Sequence, residues 1–291
     1  MVNIEEKFNL DADEAQVRTA LIQIAATAQA RHNSTPDLKR CLASIDLTTL
    51  NATDGQGRGQ QFAQRVSAFN EHFGPDMPNV AAICVYPTLV ASVREHLTVP
   101  GVRIAAVAGG FPSSQTFISI KADECRQTIA AGADEIDVVI SCGAFLEGDY
   151  FTVYDELKQL KEACGKHHLK VILETGVIPS LRDVRLASFL AMEAGADFIK
   201  TSTGKLEPAA TPEAVYTMCQ CIAEFHRKTG RRVGIKPAGG MTTSADALLY
   251  YSIVESVLGK DWLCPELFRL GASRMANNLL TDIVGSEVRY F

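Results

Sequence analysis

Paired cysteines, long apolar runs and an excess of basic residues are all missing from this sequence. Its eight cysteines, at 41, 84, 125, 142, 164, 219, 221 and 264, form no CxxC pair, which removes the usual spacing of a zinc site or a dithiol redox motif. Cys219 and Cys221 lie two apart on a predicted helix, where side chains diverge. Scattered free thiols predict a reducing, cytoplasmic setting. No apolar run approaches the roughly 18 residues that span a bilayer, so no membrane partner is expected. The opening Met1-Val2-Asn3-Ile4-Glu5-Glu6 has no basic start followed by an apolar core, which predicts no secretory signal. A net charge of -6 leaves no surplus of cations to neutralise nucleic-acid phosphates. The histidines fall in helical runs or their flanks (His32, His72, His96, His226) or just before a strand (His167, His168), which supports metal ligation poorly. No Gly-x-Gly-x-x-Gly turn follows any predicted strand, and no Ser/Gly-rich linker divides the chain.

What is present is ample core material and a rhythm. Hydrophobic residues make up 47% of the 291 and charged residues 21%, the balance of a globular chain. Strong helix formers at apolar spacing predict an N-terminal helix over 11–31, ended by Asn33-Ser34-Thr35-Pro36. From Cys41 onward short β-rich runs alternate with amphipathic ones. Strands are predicted at 42–47, 79–85, 102–108, 135–140, 170–174, 198–201, 233–236 and 267–270. Helical runs lie near 58–73, 87–97, 117–132, 151–165, 180–195, 211–228, 243–258 and 273–283. The repeated phrases Ala131-Gly132-Ala133-Asp134 and Ala194-Gly195-Ala196-Asp197 each close a helix and open a strand. Eight such βα units predict a closed (β/α)8 TIM barrel rather than a doubly wound open sheet. The expected organisation is a single domain over 1–291, with 1–40 a helical extension and 284–291 a C-terminal tail.

Polar residues interrupt the apolar strands at a few places. Asp197-Phe198-Ile199-Lys200-Thr201-Ser202-Thr203-Gly204-Lys205 reads as a strand ending in a lysine, then a hydroxyl-rich turn with a second lysine. A buried ammonium loses hydration, so its pKa falls and it becomes a nucleophilic amine; a lysine pointing into solvent at a strand end is the alternative. A second strand of the same form, Val233-Gly234-Ile235-Lys236 running into Pro237-Ala238-Gly239-Gly240, favours the first reading. Barrel chemistry sits at the C-terminal ends of strands, and those ends carry Asp46, Cys84, Asp137, Lys200 and Lys236. An inert buried ion network is the competing explanation, expensive beside apolar packing. Cys84 reads as a small buried filler, since no histidine is placed to deprotonate it. Two ammonium groups held close cannot both stay charged cheaply, so one becomes a free amine able to form an imine, with Asp137 handling the proton transfers. Gly204-Lys205, Gly239-Gly240 and Gly271-Ala272-Ser273 after strands 6, 7 and 8 either make simple βα turns or grip a phosphate, the last at a helix N-terminus.

Six of these phrases together resemble the deoxyribose-phosphate aldolase family. They are Ile45-Asp46-Leu47-Thr48-Thr49-Leu50, Ala82-Ile83-Cys84-Val85-Tyr86-Pro87, Gly132-Ala133-Asp134-Glu135-Ile136-Asp137-Val138-Val139, the Lys200 stretch, Lys236-Pro237-Ala238-Gly239-Gly240, and Gly271-Ala272-Ser273. The resemblance spans roughly residues 40–283 in order; the long N-terminal lead and Val107-Ala108-Gly109-Gly110-Phe111-Pro112 are similar to the eukaryotic-type branch. It implies reversible cleavage of 2-deoxy-D-ribose 5-phosphate, a small phosphorylated sugar, to D-glyceraldehyde 3-phosphate and acetaldehyde without metal or organic cofactor. Lys200 matches the Schiff-base lysine, Lys236 the lysine that lowers its pKa, Asp137 the proton-relay carboxylate and Asp46 the aspartate supporting Lys236 and substrate hydroxyls. Cys84 matches a cysteine near the aldehyde site, and Thr203, Gly204, Lys205, Gly239, Gly240, Gly271 and Ser273 fall on the substrate-binding side.

The chain departs from the family pattern in two places. Met241-Thr242 stands where an apolar residue and an arginine are usual, and Arg274 stands where a serine or threonine is usual. Arg274 is expected to reach the same phosphate from the neighbouring loop; pointing outward, it would leave a site favouring neutral aldehydes. In some members a tail tyrosine assists proton transfer; Tyr290 is penultimate here, and a packed tail is the competing expectation. A homodimer is the default expected of such barrels. Another lysine-dependent barrel aldolase with a different acceptor, or a non-catalytic phosphosugar-binding barrel, are the remaining readings.

Overall fold

The computed structural model describes residues 3–291. Eight short parallel strands form one sheet: β1 Ile45–Thr48, β2 Ala82–Val85, β3 Arg103–Val107, β4 Glu135–Val139, β5 His168–Ile172, β6 Phe198–Lys200, β7 Gly234–Lys236 and β8 Leu270–Ala272. Their order, β7-β6-β5-β4-β3-β2-β1-β8, brings the last strand beside the first. Bridges Ile235↔Phe268 and Ala238↔Gly271 join β7 to the β8 segment and close the ring. Helices lie between successive strands, so the fold is the predicted (β/α)8 barrel, with the helix Glu14–Ala30 added before it.

The repeated Ala-Gly-Ala-Asp phrases do the same work twice. Asp134 accepts the N–H of Ile104 at the foot of β3 (2.8 Å), and Asp197 accepts that of Leu169 on β5 (2.8 Å). Each carboxylate also takes a cation from the helix one unit earlier, Arg94 from the helix before β3 and Lys161 from the helix before β5, both at 2.7 Å. The phrase therefore rivets consecutive units together at the foot of the barrel.

Several predicted boundaries move, for physical reasons. Leu42 and Ala43 belong not to β1 but to a helix, Thr35–Ala43, in whose first turn Pro36 sits. A proline there forfeits only an N–H that has no intrahelical partner, so the supposed stop is a start. The β8 segment lies later than the apolar run at 267–270, because pairing with β1 sets it: Ile45↔Leu270, Asp46↔Gly271 and Leu47↔Ala272. The run 58–73 divides into Gln56–Ser67 and Phe69–Phe73, and 87–97 into a 3-10 turn Pro87–Leu89 and the helix Val90–His96. Short helices Ile4–Lys7 and Cys142–Leu146 carried no periodic signal and were not anticipated.

The N-terminal helix buries Val17, Leu21, Ile24 and Ala28, one stripe at helical spacing. Asp13 caps it, accepting the N–H groups of Ala15 and Gln16. Phe8, just before it, stacks on Phe189 with ring centroids 4.2 Å apart and also meets Phe225, pinning the lead to the barrel's outer helices. No described helix is long and apolar enough to cross a membrane.

Candidate active site

Side chains two apart on a strand share a face. On β4 that rule sends Glu135 and Asp137 to the barrel interior, while Ile136 and Val138 pack in the main apolar core. Asp46 on β1, Lys170 on β5, Lys200 on β6 and Lys236 on β7 join them, every one buried. Asp137 lies in register with Lys170, and Lys200 with Lys236.

Asp137 is the hub. Its Oδ2 accepts from Lys200 Nζ at 2.8 Å and Lys236 Nζ at 2.7 Å, and its Oδ1 from Lys170 Nζ at 2.9 Å. Burial alone would raise its pKa, but Lys170, Lys200 and Lys236 overcome that and hold it well below the usual carboxylate range. Lys236 Nζ also stands 2.5 Å from Asp46 Oδ2, an ion pair by distance though not aligned as a hydrogen bond. The two lysines are driven apart in consequence. Desolvation, aided by the neighbouring Lys236 charge, pulls Lys200 below the ordinary lysine value against the opposing Asp137. For Lys236 burial also lowers, but Asp137 and Asp46 together win and raise it.

Beneath this pair lies a layer that strand patterning did not reveal. Arg269, in the turn before β8, donates to Asp46 at 2.6 Å and to both oxygens of Glu135 at 2.9 and 3.1 Å. Lys170 reaches Glu135 at 2.7 Å. Glu135 opens β4 and Arg269 lies in a turn, places where a charged residue ordinarily faces water, so only their wholly buried partners mark them as interior groups. Charged residues inside Val/Ile-rich runs were the one available signal, and Lys170 in Lys170-Val171-Ile172-Leu173 carried it.

Above the hub opens a cavity of about 500 Å³. Lys200, itself only 3% exposed, is the one member of the charged cluster that lines it. Thr203, Gly204, Lys205, Gly239, Gly240, Gly271, Ser273 and Arg274 line it too, with Arg58, Phe62, Asn277 and Phe291 completing a wall that sequence reasoning missed. Asp46, Asp137 and Lys236 stand behind this surface. Thr203 is fixed by Glu174, a buried residue at φ 57°, whose carboxylate accepts its N–H at 3.1 Å and its hydroxyl at 2.5 Å. Lys205 donates to the carbonyl of Leu50 at 2.5 Å, tying this loop across to the one after β1.

Two glycines are dictated by close approach. Gly239 has φ +80°, and a Cβ there would lie 2.8 Å from that of Ala209. A Cβ on Gly271 would lie 2.7 Å from Ala238 Cβ and 3.1 Å from Lys236 Cε, blocking the corridor along which that lysine reaches the hub. Gly271 and Ala272 are thus part of β8 itself, and Ser273 is the cap of the helix Arg274–Val284, with no side-chain capping bond. Arg274 makes no ion pair or hydrogen bond among the described residues, leaving its guanidinium free at the cavity wall beside that helix N-terminus.

Cys84 is fully buried below the cavity with Leu50, Ala82, Ala105 and Val107, and burial pushes its thiol pKa up. Tyr290 does not line the cavity: its hydroxyl donates to the carbonyl of Arg65 at 2.7 Å, and its ring packs edge-on against Phe69 and Phe73. Asn277 holds the tail, accepting the N–H groups of Tyr290 and Phe291 at 2.8 and 3.0 Å. Among the described residues no three His, Cys, Asp or Glu side chains are grouped as a metal site.

The fold is that of a parallel (β/α)8 barrel with one lysine of downward-shifted pKa at the floor of its mouth cavity. The chain belongs to the DeoC/LacD family of aldolases, whose sequence profile matches residues 41–257; it is a lyase. It is 41% identical to the human deoxyribose-phosphate aldolase over 257 residues, covering 84% of this chain and 79% of that protein. The mouse deoxyribose-phosphate aldolase is 40% identical over 280 residues, 91% of this chain and 86% of the other. Among solved structures, the tetrameric deoxyribose phosphate aldolase of Aeropyrum pernix superposes with a TM-score of 0.65 at 23% identity, covering 89% of this chain and 96% of that one, a likeness of fold.

Proposed function

We propose that the chain cleaves 2-deoxy-D-ribose 5-phosphate reversibly to D-glyceraldehyde 3-phosphate and acetaldehyde through a Schiff base on Lys200. The observation that carries this reading is the division between the two lysines: Lys200 alone reaches the cavity and has its pKa lowered, while Lys236 is locked below between two carboxylates. The Lys200 amine attacks C1 of the open-chain sugar, and the carbinolamine loses water to give the imine. A proton leaves the C3 hydroxyl, the C2–C3 bond breaks, and its electron pair is taken up by the imine as an enamine. Glyceraldehyde 3-phosphate departs; protonation of the enamine at C2 and hydrolysis release acetaldehyde and the free amine. Asp137, bridging both lysines, relays these protons with Lys236, and Asp46 keeps Lys236 charged. The phosphate lies against the free Arg274 guanidinium, Ser273, and the backbone of Gly204, Gly239 and Gly240.

Such a substrate arises in deoxyribonucleotide catabolism, and eight unbridged cysteines suit a reducing cytoplasm. A second copy of the chain is the expected partner. The test is borohydride reduction in the presence of acetaldehyde, followed by peptide mass mapping of wild type and Lys200→Ala. An ethyl adduct on the Lys200 peptide, absent from the variant, is expected. Folded wild type that carries no adduct on any lysine would reduce the molecule to a phosphosugar-binding barrel.

A further inference from the structure

We propose that Arg269 and Lys170, neither of which reaches the cavity, are positioning residues that keep Lys200 an uncharged amine by fixing the charge count of the barrel core. The inference rests on Lys200 being the imine-forming residue. Four buried cations, Lys170, Lys200, Lys236 and Arg269, share three buried carboxylates, Asp46, Glu135 and Asp137. Three positive charges already balance the three negative ones. A fourth, unmatched in a core closed to water, costs far more than it would at a surface.

The geometry decides which cation goes without its proton. Arg269 spans Asp46 and Glu135 (2.6 and 2.9 Å), and a guanidinium stays charged in any protein setting. Lys170 touches Glu135 at 2.7 Å, Asp137 at 2.9 Å and Asp46 at 3.6 Å. Lys236 spans Asp46 and Asp137. Lys200 has Asp137 alone, through the oxygen that Lys236 also holds. The deficit therefore falls on Lys200, the cluster's only residue open to the cavity.

The other groups facing the cluster do not restore a negative charge. Cys84 on β2 is held as a neutral thiol by burial. His168 on β5 and Arg103 on β3 approach Glu135 at 3.6 Å from the solvent-facing side, and any charge they contribute is positive. Neither offers a negative charge that would hold a proton on Lys200.

The test is the pH dependence of kcat/KM for the deoxyribose-phosphate cleavage, together with the rate of cyanoborohydride trapping by acetaldehyde. Arg269→Met leaves two fixed cations against three carboxylates, so Lys200 takes up a proton. The midpoint of the acid limb then rises by roughly one to three pH units, and trapping at neutral pH falls about tenfold per unit, recovering in alkali. Glu135→Gln removes a negative charge and moves the midpoint down. The double variant Arg269→Met/Glu135→Gln restores the balance and brings the midpoint back, which a purely structural role would not do. Arg269→Lys, which keeps the charge, leaves it in place. An Arg269→Met midpoint equal to that of wild type, a double variant as displaced as the single, or an Arg269→Lys shift as large as that of Met would overturn the proposal. If Arg269→Met does not fold, the direction seen with Glu135→Gln decides: downward supports, unmoved or upward refutes. Absence of any Lys200 adduct in wild type fails the imine reading instead, whereas an adduct with unmoved midpoints fails this inference alone.

Discussion

Lys200 and Lys236 stand opposite one another on adjacent strands, both buried and both within 2.8 Å of the same oxygen of Asp137. Residue type, depth and the shared Asp137 oxygen are alike, yet one is held below the ordinary lysine value and the other above it. Two differences separate them. Asp46 approaches Lys236 and not Lys200, and the cavity opens onto Lys200 and not Lys236. Desolvation is the largest influence on both lysines, and the second carboxylate decides its outcome. Opposite pKa shifts can thus be produced on the same side chain by the placement of one aspartate.

Breaking the comparison at Lys236 has the largest expected effect. Lys236→Leu leaves Asp46 and Asp137 short of a cation, so the remaining positive charge is drawn to Lys200, whose pKa rises. Turnover at neutral pH should fall by about 10² to 10⁴-fold, the scale of losing an acid–base group. The free amine is the reactive form, so part of the rate should return as pH increases. A flat loss across the pH range would mean that Lys236 acts by shape rather than charge. Removing half of a buried ion pair also costs roughly 3–5 kcal/mol, to be read from denaturant midpoints.

Arg274→Gln tests the cavity side of the comparison. It should lower kcat/KM for the 5-phosphate by about 10 to 100-fold, the worth of a charge-assisted hydrogen bond, while leaving 2-deoxyribose itself almost unchanged. Equal kcat/KM for the two sugars in the wild type would show that Arg274 does not hold the phosphate. The smallest effect is expected at the tail. With its hydroxyl already donated to Arg65, Tyr290→Phe should alter turnover by no more than about threefold, about the worth of one neutral hydrogen bond. A loss of solvent exchange at the acetaldehyde methyl carbon would instead place that hydroxyl in the proton transfer.

Much of the barrel was legible because βα units advertise themselves locally. Apolar runs of strand length, glycine stops and the Ala-Gly-Ala-Asp phrases act within one or two units, and these located the eight strands. The lapses came where a boundary depends on a distant partner: β8 follows its register with β1, and the helix Thr35–Ala43 ends where β1 must begin. Lys200, Lys236, Asp137 and Asp46 could be singled out because each ion interrupts an apolar run; the lysines do end β6 and β7, whereas Asp137 lies in the middle of β4 and Asp46 is the second residue of β1. Glu135 and Arg269 could not, since a charge at the start of a strand or in a turn has the same appearance whether it faces water or a carboxylate; Lys170, beside Val171 and Ile172, carried the same signal as Asp137 but was passed over.

By itself the sequence determined the alternation of units, the identity of the lysine pair and the glycines that bring three loops to one mouth. All of these follow from periodicity, burial cost and backbone freedom, which are properties of neighbouring residues. Only the tertiary structure decided which lysine is held below the ordinary lysine value and which above it. That outcome depends on the sum of charges from strands β1, β4, β5, β6 and β7 and the turn before β8, brought within a few ångströms of one another in a core from which water is excluded.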